Sequence, residues 1–290
     1  MTTQTTAAQE LLDSVIATMK ETPNPRLREI LTSLTRHMHE FAAEVNLTQA
    51  EWMYGVQFLT AVGQYSKPDR NEFILLSDVL GVSSLVETIN QDSGEGATEA
   101  TVLGPFYIPD APRRANGQSM VETPDPAPVL HISGVIRSTD GSPIAGATID
   151  AWQANSKGLY PAQDPSQTPT NLRGIYTTDA QGRYEIVTTR PVSYPVPTDG
   201  PVGEMLRASE RSEMRATHVH LLVAAPGHQT VVTHIFDSEC QYLKNDAVFS
   251  VRDSLVRKFR PENGHFAADF DVTLTPAREA RTIVAPTSGR

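Results

Sequence analysis

The sequence holds a single cysteine, Cys240, in 290 residues, which excludes an intrachain disulfide and any Cys-rich zinc or iron–sulfur site. It also lacks a surplus of cations: 24 Lys and Arg stand against 34 Asp and Glu, a formal charge of −10. Neutralising phosphates takes clustered Lys and Arg, so a basic nucleic-acid binder is excluded. No apolar run approaches the roughly 20 residues that a bilayer span requires, so no membrane insertion is expected. The first twenty residues carry no basic leader followed by an apolar stretch and a small-residue cleavage site, and the expected compartment is the cytoplasm. What is present is 39% hydrophobic and 20% charged, an ordinary globular composition. The length suits one or two domains.

Near residue 95 the chain changes character. Before it, apolar residues recur at helical spacing: Ala8, Leu11, Leu12, Val15, Ile16 and Met19 form one stripe, and Leu27, Ile30, Leu31, Leu34, Met38 and Phe41 a second, opened by Pro25. Thr48 and Glu51 read as a capping box for a third helix through Leu59. Phe73 to Leu80 and Ser84 to Ile89 form two more helical segments, interrupted at Gly81. Beyond Gln91, strand-like runs alternate with Gly, Pro, Asn and Asp. His131 to Arg137 and Ala147 to Trp152, with Asp140-Gly141 between them, read as a pair of sandwich strands. Further strands are expected at Gly182 to Thr188, Thr217 to Ala224, Val231 to Phe236 and Phe270 to Leu274, with long loops at Tyr160 to Asn171 and Tyr194 to Gly203. The expected fold is mainly β with an α-helical N-terminal region, residues 1–95, and a β-sandwich at 96–290.

The densest chemistry lies at Arg215-Ala216-Thr217-His218-Val219-His220. In a strand, residues i and i+2 share a face, so His218 and His220 are able to offer two imidazoles to one ion, while Val219, Leu221 and Val223 supply the apolar opposite face. Two polar residues on a solvated face would look the same. The carboxylate of a 2-His-1-carboxylate Fe(II) site is not evident in the strand. Tyr160 and Tyr194 are alternative donors, because phenolate is a hard anion formed when a strong Lewis acid such as Fe(III) draws off the proton. Each could equally be a half-buried aromatic with a hydrogen-bonded hydroxyl. Spacing alone does not decide.

Five phrases in fixed order behind a helical N-terminal region do. Leu103 to Tyr107 (LGPFY), Asp150 to Tyr160 (DAWQANSKGLY), Tyr194 to Gly203 (YPVPTDGPVG), Arg215 to His220 (RATHVH), Thr233 to Asp237 (THIFD) and the helical N-terminal region resemble the intradiol ring-cleavage dioxygenases of the catechol and hydroxyquinol 1,2-dioxygenase group. The resemblance covers nearly the whole chain. It implies one mononuclear non-haem Fe(III) per chain held by Tyr160, Tyr194, His218 and His220, with Arg215 as the active-site arginine. Tyr194 would also accept a substrate proton. The implied substrates are O2 and an aromatic diol or triol. His234 and the stretch Phe73 to Asp78 resemble the hydroxyquinol branch. Leu75, Asp78, Val102, Leu103, Gly104, Pro105, Phe106, Val196, Pro197 and His234 would contact substrate, although Leu103 stands where a hydroxyquinol relative carries Phe. The resemblance further implies a homodimer through the N-terminal helices, whose paired apolar stripes would enclose a phospholipid. Catechol or chlorocatechol is the alternative substrate, and a non-catalytic prealbumin-like β-sandwich or an Fe(II) extradiol enzyme the alternative reading.

Overall fold

The protein is described by a computed structural model covering residues 3–67, 70–90 and 96–277, with the side chains of 3–6 outside it. These residues fall into two compact units, one ending at Leu59 and the other beginning at Thr60.

The expected helices form. Helix α1 is Thr3–Thr18, α2 Pro25–Glu44, α3 Gln49–Tyr65, α4 Glu72–Val79 and α5 Val82–Asn90. The Asn24 side chain caps α2 by accepting from the Arg26 and Leu27 amides, and Pro25 loses nothing at a position whose amide has no helical partner. Thr48 and Glu51 close their capping box, the Thr48 amide donating to the Glu51 carboxylate and the Glu51 amide to the Thr48 hydroxyl. Asn71 caps α4 in the same way as Asn24 caps α2. Among the described residues no helix is long and apolar enough to cross a membrane.

The strands in chain order are β1 Val129–Ser138, β2 Thr148–Trp152, β3 Arg173–Thr177, β4 Arg183–Thr189, β5 Tyr194–Pro195, β6 Met214–Arg215, β7 His218–Ala224, β8 Val231–Asp237, β9 Val256–Arg257, β10 Arg260–Glu262, β11 His265–Asp269 and β12 Val272–Leu274; helix α6, Pro201–Ala208, lies between β5 and β6. One sheet runs β10-β11-β1-β12, with β4 paired to β1, a second runs β3-β2-β7-β8-β9, and β5 and β6 form a two-stranded third. A shared core of Leu130, Ile132, Ile136, Ile149, Val219, Leu221 and others lies between the first two. Each such side chain contributes about 1.5–3 kcal/mol of transfer free energy on burial.

Two expectations are corrected. His131 to Arg137 and Ala147 to Trp152 do not pair with each other. After the Asp140-Gly141 turn the chain stays beside β1 only as far as Ile144, whose amide donates to the Ile136 carbonyl, and then crosses to the second sheet. The stretch Tyr194 to Gly203 is not wholly loop: it begins as β5 and ends inside α6, where Pro201 presets the first helical turn.

Candidate metal centre

Register across the second sheet assembles the site. Arg173 on β3 faces Trp152 on β2, Trp152 faces His220 on β7, and His220 faces His234 on β8. Val219, Leu221 and Val223, one residue out of phase, are fully buried in the sandwich core, which leaves His218 and His220 on the opposite face. That face is not solvated. Trp152 lies flat on the His220 ring, with centroids 4.6 Å apart, and His218 and His220 are each only 2% exposed.

Two loops bring in the tyrosines. After β2 the Asn155 side chain accepts from the Lys157 and Leu159 amides and folds a tight turn that delivers Tyr160, whose own amide donates to Gln163. Tyr194 is placed by β5, where it pairs with Arg215 on β6. Gly158, at φ +75°, sits where a Cβ would stand 2.5 Å from the Tyr194 Cβ, so the turn carrying one tyrosine packs directly on the other. Gly104, at φ +79°, likewise brings its backbone against the His220 ring.

Four donor atoms converge as a result. The Tyr160 and Tyr194 hydroxyls are 2.8 Å apart, the Tyr194 hydroxyl is 3.2 Å from His218 Nε2, and the two imidazole Nε2 atoms are 3.1 Å apart. Metal–donor bonds of roughly 2.0–2.1 Å set at right angles span about 3 Å between donors, so the spacing is that of ligands around one ion. His218 Nδ1 lies 2.5 Å from the Ala216 carbonyl, an interaction that fixes the proton on Nδ1 and frees Nε2 for a metal. Burial, reinforced by Arg215, lowers the His218 pKa to about 3, and burial with the neighbouring His234 and His218 holds His220 well down, so both imidazoles are neutral and ready to ligate. Burial pushes both phenols up, Tyr160 further because Tyr194 lies beside it, whereas Arg215 pulls Tyr194 back. Two adjacent buried hydroxyls ionise together only around a strongly positive centre. The donor set therefore fits a hard trivalent ion better than a soft or weakly charged one.

His234 joins this cluster. Its ligand atom and those of His218 and His220 lie within 4.8 Å of one another, its Nδ1 meets the Thr101 hydroxyl, and its buried Nε2 has no hydrogen-bond partner. Arg215 is buried, its Nε 2.9 Å from Asp246. Phe106 stacks on Tyr160 at 4.8 Å and, with Val196 and Pro197, lines a cavity of about 430 Å³ whose rim includes Lys67 and Arg70. Leu75, Asp78, Val102, Leu103, Gly104 and Pro105 do not line that cavity. Leu103 packs on the Phe106, Tyr160 and Tyr194 cluster, and Asp78 is buried near enough to Arg215 to feel its charge. Sequence reasoning missed Asp246, Thr101 and Arg173, which act on other side chains and carry no motif of their own.

Comparison with known proteins places the chain among related enzymes. The family model described as Catechol dioxygenase N terminus matches residues 24–98, and the one described as Dioxygenase matches residues 102–276. The 6-chlorohydroxyquinol 1,2-dioxygenase of Cupriavidus pinatubonensis is 44% identical over 92% of this chain and 96% of its own length. The hydroxyquinol 1,2-dioxygenase of a Rhizobium species is 46% identical over 86% of this chain and 84% of its own. The crystal structure of hydroxyquinol 1,2-dioxygenase from Pseudomonas putida DLL-E4 superposes with a TM-score of 0.85 at 41% identity, covering 94% of this chain and all of that one.

Proposed function

The chain belongs to the intradiol ring-cleavage dioxygenase family, and from that membership we propose that it opens hydroxyquinol between its two adjacent hydroxylated carbons. Both atoms of O2 enter the product, a hydroxymuconate or its keto form, maleylacetate. The convergence of Tyr160, Tyr194, His218 and His220 at 2.8–3.2 Å is the observation that carries the reading. These four would hold one Fe(III), which when bound supplies the Lewis acidity and covalency that make the diol ring reactive toward O2.

The chain's own groups do the rest. The two imidazoles, neutral by burial, act purely as donors. Tyr194, ionised together with Tyr160 around the metal, would accept a proton from the diol, and Arg215 favours the anion that does so. Arg215, preorganised by its buried ion pair, stabilises negative charge that develops on the ring as its hydroxyls ionise. Phe106, Val196 and Pro197 exclude water from the ring face. On the family resemblance, Leu75, Val102, Leu103, Gly104, Pro105 and His234 would flank the ring beyond the residues that line the cavity. Asp78 favours hydroxyquinol over plain catechol: its buried Oδ1 has no hydrogen-bond partner, and the third hydroxyl would supply one.

The division of labour follows the sequence, with 1–95 as a dimerisation region and 96–290 as the catalytic sandwich of a cytoplasmic homodimer. Helix α2 has no buried residue, and Met38, Phe41, Trp52 and Tyr54 are exposed. An apolar face of that kind is what a helix-to-helix interface covers. The cavity of about 770 Å³ among Leu11, Met38, Phe41, Trp52 and Val56 is the place for a phospholipid chain.

The test is a turnover series across hydroxyquinol, catechol, 4-chlorocatechol and protocatechuate on iron-loaded protein. Hydroxyquinol is expected to give the highest kcat/KM, with one O2 consumed per ring and a wine-red resting protein. Catechol or chlorocatechol in first place would transfer the assignment to the neighbouring branch, and a colourless, iron-free protein would make the fold a binding module.

A further inference from the structure

The Arg215 guanidinium is held by a carboxylate that nothing so far has given a task. Asp246 Oδ1 accepts from Arg215 Nε at 2.9 Å and from the Ala216 amide at 3.0 Å. Asp246 Oδ2 accepts from the Ser250 amide at 3.0 Å and the Ser250 hydroxyl at 2.8 Å. That hydroxyl in turn accepts from Arg215 NH2 at 3.0 Å, closing a ring of Arg215, Asp246 and Ser250. Arg215 is 3%, Asp246 5% and Ser250 0% exposed. The same carboxylate therefore fixes a side chain and the following peptide, and the carbonyl of that residue, Ala216, orients His218 through Nδ1.

We propose that Asp246, with Ser250, is the positioning residue of ring cleavage, aiming the Arg215 guanidinium at the tyrosine-lined site; this rests on the function proposed above. A long Arg side chain left free would sample several rotamers, and its charge would help the reaction only in the fraction of time spent aimed at the ring. The bond to Nε fixes the plane of the guanidinium, and the bond from NH2 to Ser250 fixes its rotation, so the charge is oriented before substrate arrives. A full ion pair is needed for this, because a buried guanidinium without a carboxylate would be too costly to keep in place. Consistent with that, burial alone would raise the Asp246 pKa, yet Arg215 and the surrounding N–H groups hold it below the ordinary value. The Arg215 charge in turn reaches both Tyr194 and Tyr160.

The test pairs Asp246→Asn with Arg215→Gln and their double variant. In Asp246→Asn, kcat should fall roughly 10- to 100-fold, a part of what losing a preorganised charge stabiliser costs. KM, iron per chain and the resting visible band should stay close to wild type. The double variant should be no slower than Arg215→Gln alone. A readout independent of turnover is the slowly exchanging Arg215 Nε–H resonance in metal-free, 15N-Arg-labelled protein, assigned by its absence from Arg215→Gln; it should vanish or exchange rapidly in Asp246→Asn. Losses that multiply in the double variant, unchanged kcat, or a loss that tracks iron content would each overturn the proposal. Should Asp246→Asn not fold, Ser250→Ala decides in the same cycle, with an expected loss of a few-fold that disappears in the Arg215→Gln background; a loss that persists there refutes it. If wild type cleaves no diol, the function reading fails while the Arg215 resonance still reports whether Asp246 orders the guanidinium.

Discussion

Gly158 stands so close to Tyr194 that a methyl group on it would lie 2.5 Å from the Tyr194 Cβ, two residues before Tyr160 itself. One backbone atom thus sets the distance between the two phenol-bearing loops. Gly158→Ala is predicted to cost about 1–2 kcal/mol for the left-handed conformation alone, φ being +75°, with the clash in addition. The larger effect is on the site: separating the loops widens the 2.8 Å contact between the hydroxyls, so iron retention should drop and the visible band weaken. Iron analysis and the thermal midpoint check this, and wild-type iron content in the variant would show that the turn adjusts freely.

Tyr160→Phe removes one of the two acidic donors while leaving the ring that stacks on Phe106 at 4.8 Å. The fold should therefore survive with an unchanged midpoint in the metal-free state. Iron binding should weaken and the charge-transfer band should be lost or markedly shifted, because the remaining donors carry one negative charge fewer. A variant with wild-type colour, iron and turnover would remove Tyr160 from the donor set.

Tyr194→Phe is predicted to behave differently. On the proposed function Tyr194 is both a donor and the group that accepts a proton from the diol, so its loss should lower turnover by roughly 10²–10⁴-fold, the range of general-base catalysis. Titrating wild type and variant with catechol in the absence of O2 separates the two roles. Wild type should show a spectral change as the phenolate is protonated, and Tyr194→Phe should bind the diol without that component. Identical difference spectra would assign the proton to another acceptor.

The helices were legible because their signals are local: Pro25 and the Thr48–Glu51 box act within one turn of the ends they mark. Strand β7 was legible because alternation separates Val219, Leu221 and Val223 from His218 and His220. The partner of each strand was not, since β1 joins β11 and β12 from the far end of the sequence and no local residue records that. One readable signal was missed: Asn263-Gly264 is a two-residue hairpin turn joining β10 to β11, with both residues at positive φ. In the site, family phrases carried the tyrosines and histidines, whereas Asp246 touches Arg215 across 31 residues and is visible only in three dimensions.

On the proposed function, Asp78 would link stability to substrate choice. Burial raises its pKa from 3.8 to about 6, with a hydrogen bond from Ser83 and the Arg215 charge offsetting only part of that. Between those two values the folded chain keeps a proton that the unfolded chain has released, so stability falls as pH rises through this window, by up to about 3 kcal/mol, and stays low above it. Asp150, also raised to about 6 by burial, adds a slope of the same sign that Asp78→Asn does not remove. Metal-free Asp78→Asn should thus gain stability relative to wild type at pH 7.5 over what it shows at pH 4.5, read from urea unfolding at the two pH values. Its catalysis should move the other way. On the proposed function, the ionised Asp78 would accept a hydrogen bond at neutral pH from the third hydroxyl of hydroxyquinol, whereas plain catechol would leave the charge unpaired against a ring edge. Hydroxyquinol kcat/KM should therefore fall roughly tenfold to a hundredfold more than that of catechol in Asp78→Asn. Stability gained without a change in the substrate ratio would mean that Asp78 is a buried charge with no contact to substrate, and the preference would then come from the shape set by Leu75, Leu103 and Val196.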